Sequence, residues 1–149
     1  MIGLLQRVSQ ASVVVDKAVI AEIAGGLVVF VAVERHDTET QVNGLLKRLM
    51  GIRVFPEKAG RMNRNILETG GSLLLVPQLT LAADTKKGNR PGFSKAAGPE
   101  EGRRLFEYLV VQAKSSKAPV FAGRFGAEMQ VNISNEGPVT LWLRAAGYH

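Results

Sequence analysis

The chain has no cysteine in its 149 residues. Disulfides, thiol nucleophiles and thiolate metal sites are therefore excluded together. Histidine is almost as scarce. His36 precedes a helical segment and His149 ends the chain, and neither has a His or Cys at metal-ligand spacing. No metal is expected on that pattern, and a Ser-His-Asp triad has little to work with. There is no G-x-S-x-G elbow, no P-loop and no G-x-G-x-x-G, so no cofactor is expected. No apolar run approaches the roughly 20 residues of a membrane span. The opening Met1-Ile2-Gly3-Leu4-Leu5-Gln6-Arg7 is apolar first and basic after, the reverse of a secretory signal. A cytoplasmic protein with no membrane partner is expected. Any catalysis must then rest on backbone donors, hydroxyls and groups of the substrate itself, which suits an already activated bond.

What is present fits one globular domain spanning 1–149. Apolar residues make up 46% of the chain, and the formal net charge is +6. A basic balance suits a polyanionic partner such as nucleic acid. The stretch between Thr85 and Pro99 holds Lys86, Lys87, Arg90 and Lys95 with no acid among them, and Gly88, Pro91 and Gly92 mark it as a loop. It is either a solvated loop or a basic arm placed to meet phosphates.

Periodicity predicts an α+β fold with mostly antiparallel sheets and two helices. Ser12 to Val15 is β-branched, and Leu27 to Val33 is a continuous apolar run of the kind buried on both faces. Thr38-Glu39-Thr40-Gln41 has capping-box spacing. Val42, Leu45, Leu46, Leu49 and Met50 then form one helical stripe, with Gly51 as its stop. Leu73 to Val76 is a second buried strand, and Pro77 ends its ladder. A second helix starts near Pro99, with Glu100 and Glu101 in its first turn. Its core face is Leu105, Phe106, Leu109, Val110 and Ala113. Met129, Val131 and Ile133 alternate along one strand and Val139, Leu141 and Leu143 along another, separated by a turn at Asn135-Glu136-Gly137-Pro138. Trp142 is out of phase with the second set. A large aromatic on an outward face points to a homodimer interface.

Two segments carry a resemblance. One is Val76-Pro77-Gln78-Leu79-Thr80-Leu81-Ala82-Ala83-Asp84 with Arg90-Pro91-Gly92-Phe93-Ser94-Lys95. The other is Phe125-Gly126-Ala127-Glu128-Met129-Gln130-Val131 with Asn135-Glu136-Gly137-Pro138-Val139-Thr140. With Gln6-Arg7-Val8 and Arg53-Val54-Phe55, they resemble the D-aminoacyl-tRNA deacylases over essentially the whole chain. The resemblance implies a homodimer with its active site at the subunit interface. It also implies cleavage of the ester between a D-amino acid, or glycine, and the 3′ ribose of tRNA, a chiral proofreading step in translation.

It further implies roles. The segment Gln78, Leu79 and Thr80 would hold the ester and its developing oxyanion, with the Thr80 hydroxyl positioning water or attacking directly and the ribose 2′-OH assisting. Gly137 and Pro138 would be joined by a cis bond, enter the partner's site and exclude L side chains by clash. Phe125 and Met129 would line the pocket, Arg7 would steady the Gly–Pro loop, and Lys86, Lys87, Arg90 and Lys95 would meet tRNA phosphates. Pro77 stands where most members have Ser, and a sister branch clearing L-alanine from tRNA resembles Pro-Gln-x-Thr there. The second motif, Asn-x-Gly-Pro-Val-Thr, follows the D-selective pattern. Deacylation of L-alanyl-tRNA and a non-catalytic RNA-binding dimer are the alternatives.

Overall fold

The computed structural model describes residues 1–146. Strand β1 (Ile2–Val15) turns back at Asp16 and Lys17 into β2 (Ala18–Ile23). Both turn residues have positive φ, 49° and 64°. That pair of conformations gives a two-residue turn whose twist matches its strands, and here it forms without glycine or asparagine. The chain continues into β3 (Gly26–Ala32) along the same edge of β1, so residues 11–15 of β1 pair with β2 and residues 2–8 with β3. The opposite edge of β1 pairs antiparallel with the long strand β8 (Gln130–Arg144).

Beyond β3 the sheet changes character. Strand β6 (Ser72–Pro77) lies parallel to β3, and β7 (Val120–Ala122) lies parallel to β6. The sheet is therefore mixed, where mostly antiparallel pairing was expected. The cause is the connections. Helix α1 (Glu39–Gly51) lies between β3 and β6, and α3 (Pro99–Lys114) between β6 and β7. A crossover of that length returns the chain in its original direction. A two-stranded sheet of β4 (Phe55–Pro56) and β5 (Met62–Arg64) and a four-residue helix α2 (Ile66–Thr69) fill the first crossover. The short α2 makes a third helix where two were expected; Asn65 and Glu68 cap it reciprocally.

The longer helices begin as their sequences predict. Thr38 and Gln41 form a complete capping box, and Pro99 occupies the first turn of α3 with Glu100 and Glu101. Gly51 is the last helical residue of α1, but the cap is Ile52 in extended conformation, its N–H donating to the Arg48 carbonyl. Leu45, Leu49, Leu105 and Leu109 pack on Leu5, Leu27, Val29, Leu73 and Leu75 of the sheet. Val28, Leu74 and Val76 face the other way, against Val13 and Ile23. Both faces of β3 and β6 are thus covered, which is why these strands are unbroken apolar runs. The far edge of β8 has no strand beside it among the described residues, and Trp142 on that strand is 57% exposed. No described helix is long and apolar enough to cross a membrane.

One charged cluster ties the ends of β1, β3 and β8 together. The α-amino group of Met1 pairs with Glu34 at 3.1 Å and Asp37 at 2.7 Å. Arg144 forks onto both Glu34 oxygens at 3.0 and 2.9 Å. Burial pushes the Glu34 carboxyl up, but the hydrogen bonds from Arg144 and the Met1 ammonium outweigh it and hold it below its ordinary 4.5. The stability this cluster contributes is complete above that ordinary value. It is lost as pH falls through the lower folded value. Glu34→Gln is expected to lower Tm at neutral pH and to flatten its decline as pH falls below the ordinary carboxyl value of 4.5. Melting curves that fall in parallel for both proteins would show that Glu34 is not the titrating group.

Candidate active site

Strands β3 and β6 end side by side, with Val31 opposite Pro77. Pro77 has no N–H, and β7 pairs with β6 only as far as Leu75, so the ladder stops. The chain then folds into a 3-10 turn, Leu79–Ala82. The N–H of Gln78 donates to the Val31 carbonyl at 2.7 Å, so it is spent on holding the turn to β3. The N–H groups of Leu79 and Thr80, which head the turn, have no acceptor among the described residues. Both residues are exposed. The Gln78 side-chain amide donates to Thr80 Oγ1. The group that orients this hydroxyl is therefore an amide, which is no base.

A cavity of about 330 Å³ opens beside the turn. Gln78, Leu79 and Val31 form one wall, Phe93, Ala96 and Ala97 a second, and Phe106 with Phe125 a third. The second wall is pinned to the end of β3: Ala97 donates to the Val33 carbonyl at 3.0 Å and Arg35 to the Lys95 carbonyl at 2.9 Å. The rings of Phe106 and Phe125 tilt against each other with centroids 6.3 Å apart. Gly102 explains how Phe125 fits. A Cβ there would stand 3.1 Å from the Phe125 ring. Glycine inside a helix costs about 1 kcal/mol, and the ring occupies the space that the missing methyl leaves. A glycine in the first turn of an amphipathic helix is the signal of this packing that the sequence carries.

Met129 is placed differently. It packs with the second core, and its sulfur lies beside Gly123 and Pro77. It braces the strand end from behind, while Phe125 faces the cavity. Lys86, Lys87, Arg90 and Lys95 are all exposed on the loop that supplies the second wall. That loop is closed at its base by a reciprocal backbone pair between Asp84 and Gly92, at 2.7 and 2.9 Å. Among the described residues no three His, Cys, Asp or Glu side chains converge as a metal ligand set would. His149 lies outside the described residues.

The second motif is not the expected turn. Strand β8 pairs with β1 on both sides of it, Asn135 opposite Val8 and Thr140 opposite Gln6. Four residues, Glu136 to Val139, therefore bulge out opposite Arg7 alone. The Gly137–Pro138 bond within the bulge is cis, and Gly137 has φ 119°. Asn135 clips the bulge shut: its amide donates to the Arg7 carbonyl at 2.9 Å and the Val139 carbonyl at 3.0 Å. Thr140 donates back to the Asn135 oxygen at 3.3 Å. Asn135 belongs to the motif in sequence, but its role shows only in three dimensions. Arg7 is half-buried, not a surface arginine, and donates to the Val54 carbonyl at 2.7 Å.

The two motifs stand apart within one subunit. Arg7, beneath the bulge, is opposite Leu27 of β3, whereas Gln78 is bonded to Val31. Four residues of strand span about 13 Å, and three strand spacings from β8 to β6 add about 14 Å across, so the separation is roughly 20 Å. A Cβ on Gly137 would lie 2.9 Å from Arg7 Nη2, at a φ that side chains rarely adopt. Gly137→Ala is expected to cost about 1–3 kcal/mol of stability and to displace the guanidinium from Val54. A melting curve and a crystal structure of the variant check this; an unmoved Arg7 and an unchanged Tm would refute the packing argument.

Comparison with known proteins bears on all of these residues. The family described as D-Tyr-tRNA(Tyr) deacylase matches residues 4–144. A D-aminoacyl-tRNA deacylase from Alkalilimnicola ehrlichii is 54% identical over 145 residues, which is 97% of each protein. One from Methylococcus capsulatus is 56% identical, covering 97% of this chain and 94% of that one. Among solved structures, the c-Myc DNA unwinding element binding protein superposes with a TM-score of 0.93 at 31% identity, over 99% of this chain and 100% of that one. Agreement over nearly the full length, at about half of all residues with the curated relatives, makes this chain a member of the D-Tyr-tRNA(Tyr) deacylase family.

Proposed function

We propose that this protein hydrolyses the ester joining a D-amino acid to the 3′ end of tRNA, removing mischarged residues before translation can use them, with glycine as a further substrate. The observation that carries this reading is the pair of unpaired backbone donors, Leu79 and Thr80, beside a mostly apolar cavity in a chain of this family. An aminoacyl ester is already activated. Two preorganised N–H groups in place of water stabilise the oxyanion that forms when hydroxide or water adds to its carbonyl. Thr80, oriented by Gln78, holds the attacking water. The ribose 2′-OH beside the ester relays the proton, because no side chain in the motif is a base. Phe125 supports the terminal nucleoside from the far wall.

The site is composite. Within one subunit the Gly137–Pro138 bulge is roughly 20 Å from the donors, too far to touch the same ester. A two-fold homodimer brings one subunit's bulge to the other's cavity. The unpaired edge of β8 and the exposed Trp142 support such an interface. The bulge then excludes an L side chain by contact close to the Cα, where rigid backbone discriminates better than a side-chain pocket. Lys86, Lys87, Arg90 and Lys95 meet phosphates of the acceptor stem. Pro77 favours a second reading, deacylation of L-alanyl-tRNA. Hydrolysis of D-tyrosyl-tRNA and L-alanyl-tRNA by the same preparation decides between the two, and release of neither amino acid would leave only a nucleic-acid binder.

Two experiments test the mechanism. Gln78 lies outside the α region that a following proline disfavours, with φ −142° and ψ 77°, so Leu79→Pro suits the start of the turn while deleting one donor. It is expected to lower kcat about 10²–10³-fold. Thr80→Ala should lower it less, since the donors remain, and a covalent aminoacyl adduct trapped on Thr80 would instead establish direct attack. The second experiment mixes Leu79→Pro subunits with Gly137→Ala subunits, whose displaced bulge is expected to obstruct the facing cavity and stop hydrolysis of D-tyrosyl-tRNA by their own dimer. If the site is shared, half the dimers are mixed and each carries one intact site, so about a quarter of wild-type activity returns. No recovery would mean that each subunit builds its site alone.

A further inference from the structure

We infer that the groove between α3 and β7 is the track along which the single-stranded 3′ end of the nucleic acid leaves the cavity, with Arg103 and Arg124 on its phosphodiesters. This rests on the reading that the cavity holds the aminoacylated terminal nucleoside. The groove encloses about 430 Å³ and shares two walls with that cavity, Phe106 and Phe125. Its floor is apolar, with Ile20, Val110 and Ala122, and offers bases a surface to lie on as single-strand binding sites do. The loop of Lys86 to Lys95 flanks the cavity on its other side, through Phe93 and Ala96, and so meets a different part of the nucleic acid.

Charge singles out the occupant. Two adjacent arginines on α3 are treated differently. Arg104 is held by Glu101 at 2.7 Å and Glu39 at 3.0 Å, on the side of α1. Arg103 turns the other way, its guanidinium carbon 5.2 Å from the centre of the Phe125 ring, at the boundary between cavity and groove. Its one ion pair among the described residues, with Glu107, is 3.6 Å long between side chains that are both more than half exposed, and its hydrogen bond to the Phe125 carbonyl is long at 3.5 Å. Such a pair is weak and readily yields to a better anion. Arg124 is exposed, and its guanidinium makes no hydrogen bond or ion pair among the described residues. Glu107 is the acid lining the groove, so two cations face one carboxylate. The rim is net positive beside an apolar floor, the combination that a phosphodiester strand with unstacked bases requires.

The experiment compares D-tyrosyl-tRNA with 3′-O-D-tyrosyladenosine, which carries the same ester but no phosphodiester. Arg124→Ala, Arg103→Gln and the double variant are measured on both. The double variant is expected to raise KM for the tRNA ester about tenfold more than for the adenosine ester. It should also reduce the salt dependence of KM, a log–log slope, by about 1.4, roughly 0.7 for each single-strand phosphate that the protein no longer neutralises. Arg124→Ala alone should account for half of that slope, and since the Arg124 side chain neither lines the cavity nor stacks on the Phe125 ring, that share reports phosphate contact and not the shape of the cavity. Equal losses on the two substrates would overturn the inference, showing that the arginines only shape the cavity. An unchanged salt slope would do the same. If wild type cleaves neither ester, the proposed function falls, and this inference falls with it.

Discussion

Everything at both motifs hangs on the register of β1 against its two neighbours. Residues 2–6 and Val8 of this strand are paired on both edges, with β3 on one side and β8 on the other. Arg7 lies between them, paired with β3 alone and facing the bulge. Its backbone position is fixed by Leu27, and its side chain reaches the Val54 carbonyl beneath the bulge. A slip of one residue would turn Arg7 to the opposite face and put Gln6 or Val8 under Gly137. The slip is opposed by burial. Leu5 and Val8 are fully buried, one in each core, and either would have to move into the other's surroundings or to solvent. At about 1.5–3 kcal/mol for each large apolar side chain, the register is held by the cores, and the bulge inherits its precision from them.

The chemistry asks little of side chains and much of the backbone. Gln78 spends its own N–H on β3, and that bond sets the start of the 3-10 turn where Leu79 and Thr80 present theirs. Pro77 suits this place for the same reason that it ends the strand: it has no donor to leave unsatisfied. At the bulge the controlling contacts are again to main-chain carbonyls, from Asn135 to Arg7 and Val139 and from Arg7 to Val54. A chain without cysteine and with two histidines can be an enzyme on these terms, since on the proposed reading its catalytic groups are peptide units held in unusual places.

Much of this is legible in the residues, and what is not has a common physical origin. The capping box at Thr38, the proline start of α3 and the buried runs of β3 and β6 are local features, and each forms where its residues predict. The parallel pairing of β3, β6 and β7 makes mixed a sheet expected to be mostly antiparallel, although an unbroken run such as Leu73 to Val76 belongs in a sheet covered on both faces. Asn135 to Pro138 has turn composition, and composition does not distinguish a chain that reverses from one that bulges and rejoins its ladder. That outcome is decided by β1, more than a hundred residues away in sequence, which pairs on both sides of the excursion. Asp16 and Lys17 show the converse: a tight hairpin turn with no glycine, imposed by the strands it joins. Met129 shows the same limit of local reading. In the sequence it is simply four residues after Phe125; in the fold the two face different cores.

A bulge that selects by shape must be stiffer than the side chains it rejects. An L side chain differs from a D side chain by position, not by chemistry, so a loop that can retreat an ångström loses the discrimination. The construction of this bulge meets the requirement with few groups. Asn135 bonds both of its ends, Thr140 fixes the amide that does so, and Gln6 donates to the Thr140 hydroxyl at 3.1 Å. Arg7 fills the space below Gly137, where even a methyl group would collide. Each of these partners comes from β1 or β8, the two strands whose pairing runs longest in the molecule. On the proposed reading the donors that bind the ester and the backbone that screens its configuration sit on opposite regions of the sheet, so each can be rigid in its own setting. The 3-10 turn takes its position from β3, the bulge from β1, and neither has to yield for the other to form. In the proposed dimer, two-fold pairing of subunits joins them without asking either to bend, which is the condition under which exclusion by backbone contact keeps its selectivity.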